Sequence, residues 1–230
     1  MADPVPKTEL MRSLGRLTRG LSALFWGLPI TLLVAVQAAT TNWLAALGPF
    51  SGVAPAAAYA LLFYGLWLMR DFQKQERVWL AALDQAKLLG LVNVGLAPFL
   101  HWYQRLPQVS LFASAVTLLA VTSLLFLLGL NRVLRRLAAM LPDETLRVET
   151  AAFTTLNGWL LLLLPSAALV YVLVVRSGGL SASAQLILQF LEPAQHLALL
   201  FLTLLPLAIT MSLAWKIKEA ILAAVFGEGS

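Results

Sequence analysis

Asp84 and Lys87 stand inside an otherwise apolar run, Trp79 to Leu100. An ionisable side chain in such a run is a functional candidate by default. Each charge would cost about 2.5–3.5 kcal/mol at the centre of a membrane-crossing helix, and less near its end. Spaced i, i+3, the two fall on one helical face and can offset that cost by pairing. Three roles suit the pair: a structural ion pair near the interface, a step on a proton or ion pathway, or contact with a partner subunit. At about 100° per residue, Asp84, Lys87, Gly95 and Pro98 share a face while Asn93 points the other way. A helix polar on both sides is expected to sit centrally in a bundle, away from lipid.

His101 and His196 are the only histidines, and both fall at the ends of apolar runs. On facing helices they could act as axial ligands for a b-type haem; the alternative is an interfacial imidazole bonded to water or backbone. Asn93 and Asn157, with Gln37 and Thr122, are of the type that forms interhelical hydrogen bonds. Motifs that would name a reaction are missing: no HExxH, no GxSxG, no Walker phosphate loop and no pair of intramembrane aspartates. With no cysteine, thiolate metal sites, disulfides and cysteine nucleophiles are excluded as well. An enzyme is not expected, and no cofactor is called for.

Composition says what positions these residues. Sixty per cent of the chain is apolar and 12% is charged, against roughly 25% charged in a soluble domain. Lipid is the natural solvent for so much apolar surface. The net charge of +5 and pI near 9.9 do not point to nucleic acid, because the basic residues sit beside apolar runs, where they set topology.

Six runs are long enough to cross roughly 30 Å of hydrocarbon: residues 21–39, 53–69, 79–100, 111–130, 151–175 and 196–215. Charge counting decides the third, which carries Asp84 and Lys87. With six crossings, all of the 16 basic residues except Lys87, Arg105 and Arg176 fall on one side of the membrane. If residues 79–100 did not cross, the Arg132, Arg135 and Arg136 cluster would be exported, against the positive-inside rule. The sequence therefore predicts an all-α, polytopic bundle of six transmembrane helices with both termini cytoplasmic, in a cell membrane of the bacterial inner-membrane type. The tripeptide Val36-Gln37-Ala38 is a tolerable signal-peptidase site, but the first run is read as an uncleaved span.

Around the spans, residues 1–20 read as an N-terminal interfacial helix, with Leu10, Leu14, Leu17 and Leu21 in one stripe and Arg12, Arg16 and Arg19 off it. The rest, 21–230, reads as one transmembrane domain. Pro142, Asp143 and Glu144 suit a helical first turn, with Asp143 and Arg147 paired i, i+4. Gly178-Gly179 breaks the chain, and Ser181 or Ser183 is expected to cap a short outer helix that ends before Pro193. Pro29, Pro98, Pro165 and Pro206 lie within spans, where they tend to kink the helix. The first three recur at near-equal intervals in odd spans, but their depths differ and no repeat follows. Trp43, Trp79, Trp102 and Trp215 suit interfacial belts, and Trp159 suits packing.

Six spans, inward termini, an amphipathic N-terminal helix and an outer helix before the last span resemble the layout of the membrane domains of ABC-2-type exporters. That resemblance implies a transport-type, permease-like domain, with Arg70 to Leu83 as the segment that engages an ATPase partner. A scaffold, anchor or assembly subunit of a larger membrane complex is the alternative. A haem-binding electron-transfer subunit is the third.

Overall fold

The computed structural model describes residues 7–41, 48, 50–73, 75–176 and 182–226. Within these, the side chains of 7–10, 164, 167–168, 171–176, 182–200 and 225–226 are not described. The described chain is all-helical: α1 (Lys7–Thr40), α2 (Val53–Leu68), α3 (Arg77–Leu96), α4 (Phe99–Arg105), α5 (Ser110–Ala139), α6 (Glu144–Arg176) and α7 (Ala182–Phe226). Five of these segments are long and apolar enough to cross a membrane on the described residues alone. With α6, the chain has five to six such helices and reads as a multi-pass membrane protein.

The six long helices close a ring by contact, in the order α1, α2, α3, α5, α6, α7 and back to α1. Chain neighbours run antiparallel. Gly20 of α1 lies against Gly65 and Met69 of α2, while Thr31 donates to the Ala58 carbonyl at 2.9 Å. Gly90 of α3 faces Phe126 of α5, and Ala86 faces Gly129. As a result, Arg12, Arg16, Arg19, Arg70, Arg77 and the Arg132–Arg136 cluster gather at one end of the bundle, here called the basic end. Its core is Leu17, Leu21, Leu24, Leu66, Trp79, Leu83, Leu130 and Leu134, all fully buried.

Prolines fall where the helices tolerate or need them. Pro55 occupies the first turn of α2, whose amides have no intrahelical acceptor to lose. Pro98 removes the amide that would carry α3 onward. The chain passes instead through tighter bonds, Leu100 N–H to the Ala97 carbonyl and His101 N–H to the Pro98 carbonyl, both 3.2 Å, into α4. The third apolar run is thus two helices. Between α2 and α3 a 3-10 turn (Met69–Asp71) and Gln73, at φ 48°, reverse the chain.

Several sequence expectations are corrected here. No break separates an N-terminal interfacial helix from the first span: α1 is continuous, because the stripe of Leu17, Leu21, Leu24 and Leu28 keeps its helical phase and packs into the core at 3% exposure or less. A short outer helix ending before Pro193 does not form, since α7 runs through that proline. Gly178, Gly179, Ser181 and Trp43 lie outside the described residues. Trp79 is no belt residue: it is fully buried, and its Nε1–H donates to the Phe72 carbonyl at 3.1 Å. Trp159, expected in packing, is 70% exposed on the flank of α6. Arg147 pairs with Glu144 at 2.9 Å, not with Asp143. The Asp143 carboxylate is engaged as the cap of α6, accepting from Leu146 N–H at 3.0 Å and the Thr145 hydroxyl at 2.6 Å.

Candidate functional site: a mixed-charge cleft and a polar hub

Two clusters of polar side chains stand out among the described residues. The first lies where α2 ends and α3 begins. The Lys87 ammonium sits 2.6 Å from the Asp84 carboxylate and 6.0 Å from the Trp67 ring centre. Their environments differ: the Lys87 side chain is 10% exposed, that of Asp84 60%. The lysine stem thus lies in the bundle, and its charge meets a carboxylate at the rim. That geometry gives a lysine on the buried side of an apolar helix a carboxylate partner at the rim. It also corrects the central placement of α3: Lys87 and Asn93 both fall on its buried side, and Leu88 and Leu91 are 63% and 55% exposed.

Asp84 lines a cleft of about 440 Å³ with Trp67, Arg70, Asp71 and Leu80. Asp71 is held by Arg16 of α1, so the α2–α3 turn is tied to the first helix. Arg70 has no carboxylate partner among the described residues. The register follows from the Lys87–Trp67 contact. Because α2 and α3 are antiparallel, three residues on from Trp67 and three back from Lys87 bring Arg70 and Asp84 to one depth on opposite walls.

The second cluster joins α5, α6 and α7. Asn157 spends both Nδ2 hydrogens on α7, one on the Pro206 carbonyl at 3.1 Å and one on the Thr210 hydroxyl at 2.9 Å. Asn131 donates to Leu127 O at 2.8 Å and to the same hydroxyl at 3.2 Å. Thr210 passes its own hydrogen to the Pro206 carbonyl at 2.8 Å. All three side chains are buried. Such bonds between membrane helices average about 0.6 kcal/mol, up to about 2, and here three helices share one hydroxyl.

The remaining sequence candidates are scattered. His101 is buried on α4, and its Nε2 is 2.7 Å from the Ser51 hydroxyl; that bond engages one nitrogen a haem iron would need. His196 lies on α7, but its side chain is outside the described residues. No group of three metal-ligating side chains occurs among the described residues. Gln37 and Thr122 do not bridge helices: Gln37 accepts from Thr41 at 2.9 Å, and Thr122 donates to Leu118 and Leu119 carbonyls of its own helix. Asn93 is 1% exposed, and neither of its side-chain amide atoms meets a hydrogen-bond partner among the described residues.

Sequence reasoning missed Asn131 and Thr210. Asn131 reads as the start of the basic loop after the fourth run, and Thr210 as an unremarked hydroxyl. A usable signal existed, since Asn131 adjoins the charged end of its run and Asn157 and Thr210 each lie within about two turns of the charged end of theirs. Polar side chains at matched depth on neighbouring spans are candidates to bond one another.

The chain matches no protein-family model, no curated protein and no solved structure.

Proposed function

We propose that this is a non-enzymatic membrane subunit that crosses the bilayer six times, keeps its basic end in the cytoplasm, and works by docking other membrane components against its flanks. The hub carries the reading. The buried donors of Asn131, Asn157 and Thr210 are spent on joining or staying within α5, α6 and α7, and α7 packs against α1, α5 and α6. At this end its Leu213, Ala214, Ile217 and Ile221 are at most 1% exposed, so the middle of the bundle is occupied by side chains. The hub's side-chain donors, which a passing solute would need, are therefore tied up among the helices themselves. The outer flanks offer the accessible chemistry, above all the cleft at Arg70 and Asp84.

A transport-type domain working with an ATPase is the second reading. The broken third segment at Pro98 and the α2–α3 turn at the basic end favour it, because a discontinuous span and a surface elbow are what such a domain would move. The two readings separate on purification in mild detergent. Docking predicts a stoichiometric membrane partner without nucleotide hydrolysis. Co-purification of an ATPase stimulated by a solute would replace it with transport.

Orientation is tested independently. The chain has no cysteine, so Thr145→Cys and Gln108→Cys each provide a single labelling site. An impermeant maleimide applied to intact cells should label Gln108→Cys and spare Thr145→Cys. The reverse pattern would invert the topology.

A further inference from the structure

The α2–α3 cleft has the charge pattern and the surroundings of an amphiphile site. Once Arg16 has taken Asp71 and Lys87 has taken Asp84, Arg70 remains as a cation in the wall without a carboxylate partner among the described residues. Across from it, at the same depth, the Asp84 carboxylate is bonded to Lys87 on one side and open to the cleft on the other. Cation and anion face each other but do not pair, so an occupant that carries both signs complements them. A phosphate suits the guanidinium fork, and a primary ammonium can donate to the carboxylate.

What lies beyond the polar walls identifies the kind of molecule. Toward the middle of the bundle the same faces become apolar. Tyr64 and Trp67 continue the α2 wall, both 54% exposed, and Leu88 and Leu91 continue the α3 wall from Asp84 at i+4 and i+7. A head group between Arg70 and Asp84 thus leads into an exposed hydrocarbon stripe on both helices. We infer that this cleft binds an aminophospholipid, with the phosphate on Arg70, the primary ammonium on Asp84 and the acyl chains along Tyr64, Trp67, Leu88 and Leu91. The site rests on the bundle standing in a bilayer, which the cysteine labelling tests separately.

Native mass spectrometry of the full chain in mild detergent tests the assignment. The titrants are dioleoyl phosphatidylethanolamine, its choline and glycerol counterparts, and free phosphoethanolamine. The ethanolamine lipid should bind one per chain and about tenfold more tightly than the choline lipid, whose ammonium has no N–H to donate. Arg70→Gln should weaken all three lipids by about tenfold. Asp84→Asn should abolish only the preference for ethanolamine, and Asp84→Glu should retain it, which separates recognition from misfolding. Arg105→Gln, at the opposite end, should bind as the parent does. Equal affinity for the three head groups, or an unchanged Arg70→Gln protein, would overturn the site. Competition by free phosphoethanolamine at lipid-like concentrations would overturn its assignment to a membrane lipid.

Discussion

The bundle fastens its helices in two unlike ways. Along the α1–α2 seam there is little polar chemistry: Gly20 and Gly65 let the backbones meet, and a Cβ added at Gly20 would lie 2.7 Å from the Gly65 carbonyl oxygen. Along the α5–α6–α7 seam, Asn131, Asn157 and Thr210 hold helices whose facing positions are not glycines. In hydrocarbon, apolar side chains gain nothing from leaving their surroundings, so helices must be joined by close contact or by hydrogen bonds. This molecule relies mainly on close contact along the first seam, where Thr31 adds one bond, and on a shared hydroxyl along the second. Close contact tolerates no added atom. A shared hydroxyl tolerates shape changes but not loss of a donor.

Breaking the tighter seam should have the largest effect. Gly20→Val must separate α1 from α2, and is expected to cost about 3 kcal/mol, read as a lowered midpoint of unfolding in detergent. A variant as stable as the parent would mean the seam is looser than drawn. Opposite signs sharpen the contrast between the two asparagines. Asn157→Leu removes both donors of α6 and should cost about 1 kcal/mol. Asn93→Leu removes an amide that is buried without partners and should stabilise by a similar amount. Combining Asn157→Leu with Thr210→Val should cost less than the separate losses summed, and strict additivity would dissolve the hub.

A smaller change is expected at the tether between α1 and the α2–α3 turn. Asp71→Asn should lower stability by about 0.5 kcal/mol, since both partners are partly solvated and salt screens them. The difference from the parent should shrink in high salt. The smallest effect belongs to the α6 cap. The Thr145 hydroxyl, then the Leu146 amide, hold the Asp143 carboxyl below its usual value. Its folded pKa lies below the unfolded one, so its contribution is present at neutral pH and fades as pH falls below roughly 4. Protection factors at the first turn of α6, which remove the intrinsic pH dependence of exchange, should fall across that range in the parent and stay flat in Asp143→Asn.

Hydropathy made much of the frame legible. Apolar runs of membrane length appear as helices, and Arg70, Arg77 and Arg132 mark ends that the structure brings together. Faces were less legible, because in a lipid-exposed bundle both sides of a helix are apolar and the moment that separates core from surface in water is weak. Trp79 and Trp159 were exchanged for that reason, one buried where a belt was expected and one exposed where packing was. Helix boundaries at Leu21 and Pro193 were misplaced, since neither a run of arginines nor one proline forces a helix to stop when its apolar stripe continues. Of the site, Asp84 and Lys87 were visible as charges in an apolar run. Arg70, their counterpart across the cleft, looked like an ordinary loop arginine, because its place depends on the register of α2 against α3.

The described helices are not matched in length. With the 3-10 turns that flank α2, the second segment runs Phe50–Asp71, 22 residues and about 33 Å at 1.5 Å per residue, close to a hydrocarbon layer of roughly 30 Å. Its neighbour α1, at about 51 Å, overshoots that layer. The excess length must tilt or emerge from the hydrocarbon, which leaves Arg12, Arg16 and Arg19 on the first turns of α1 able to stand in the head-group zone.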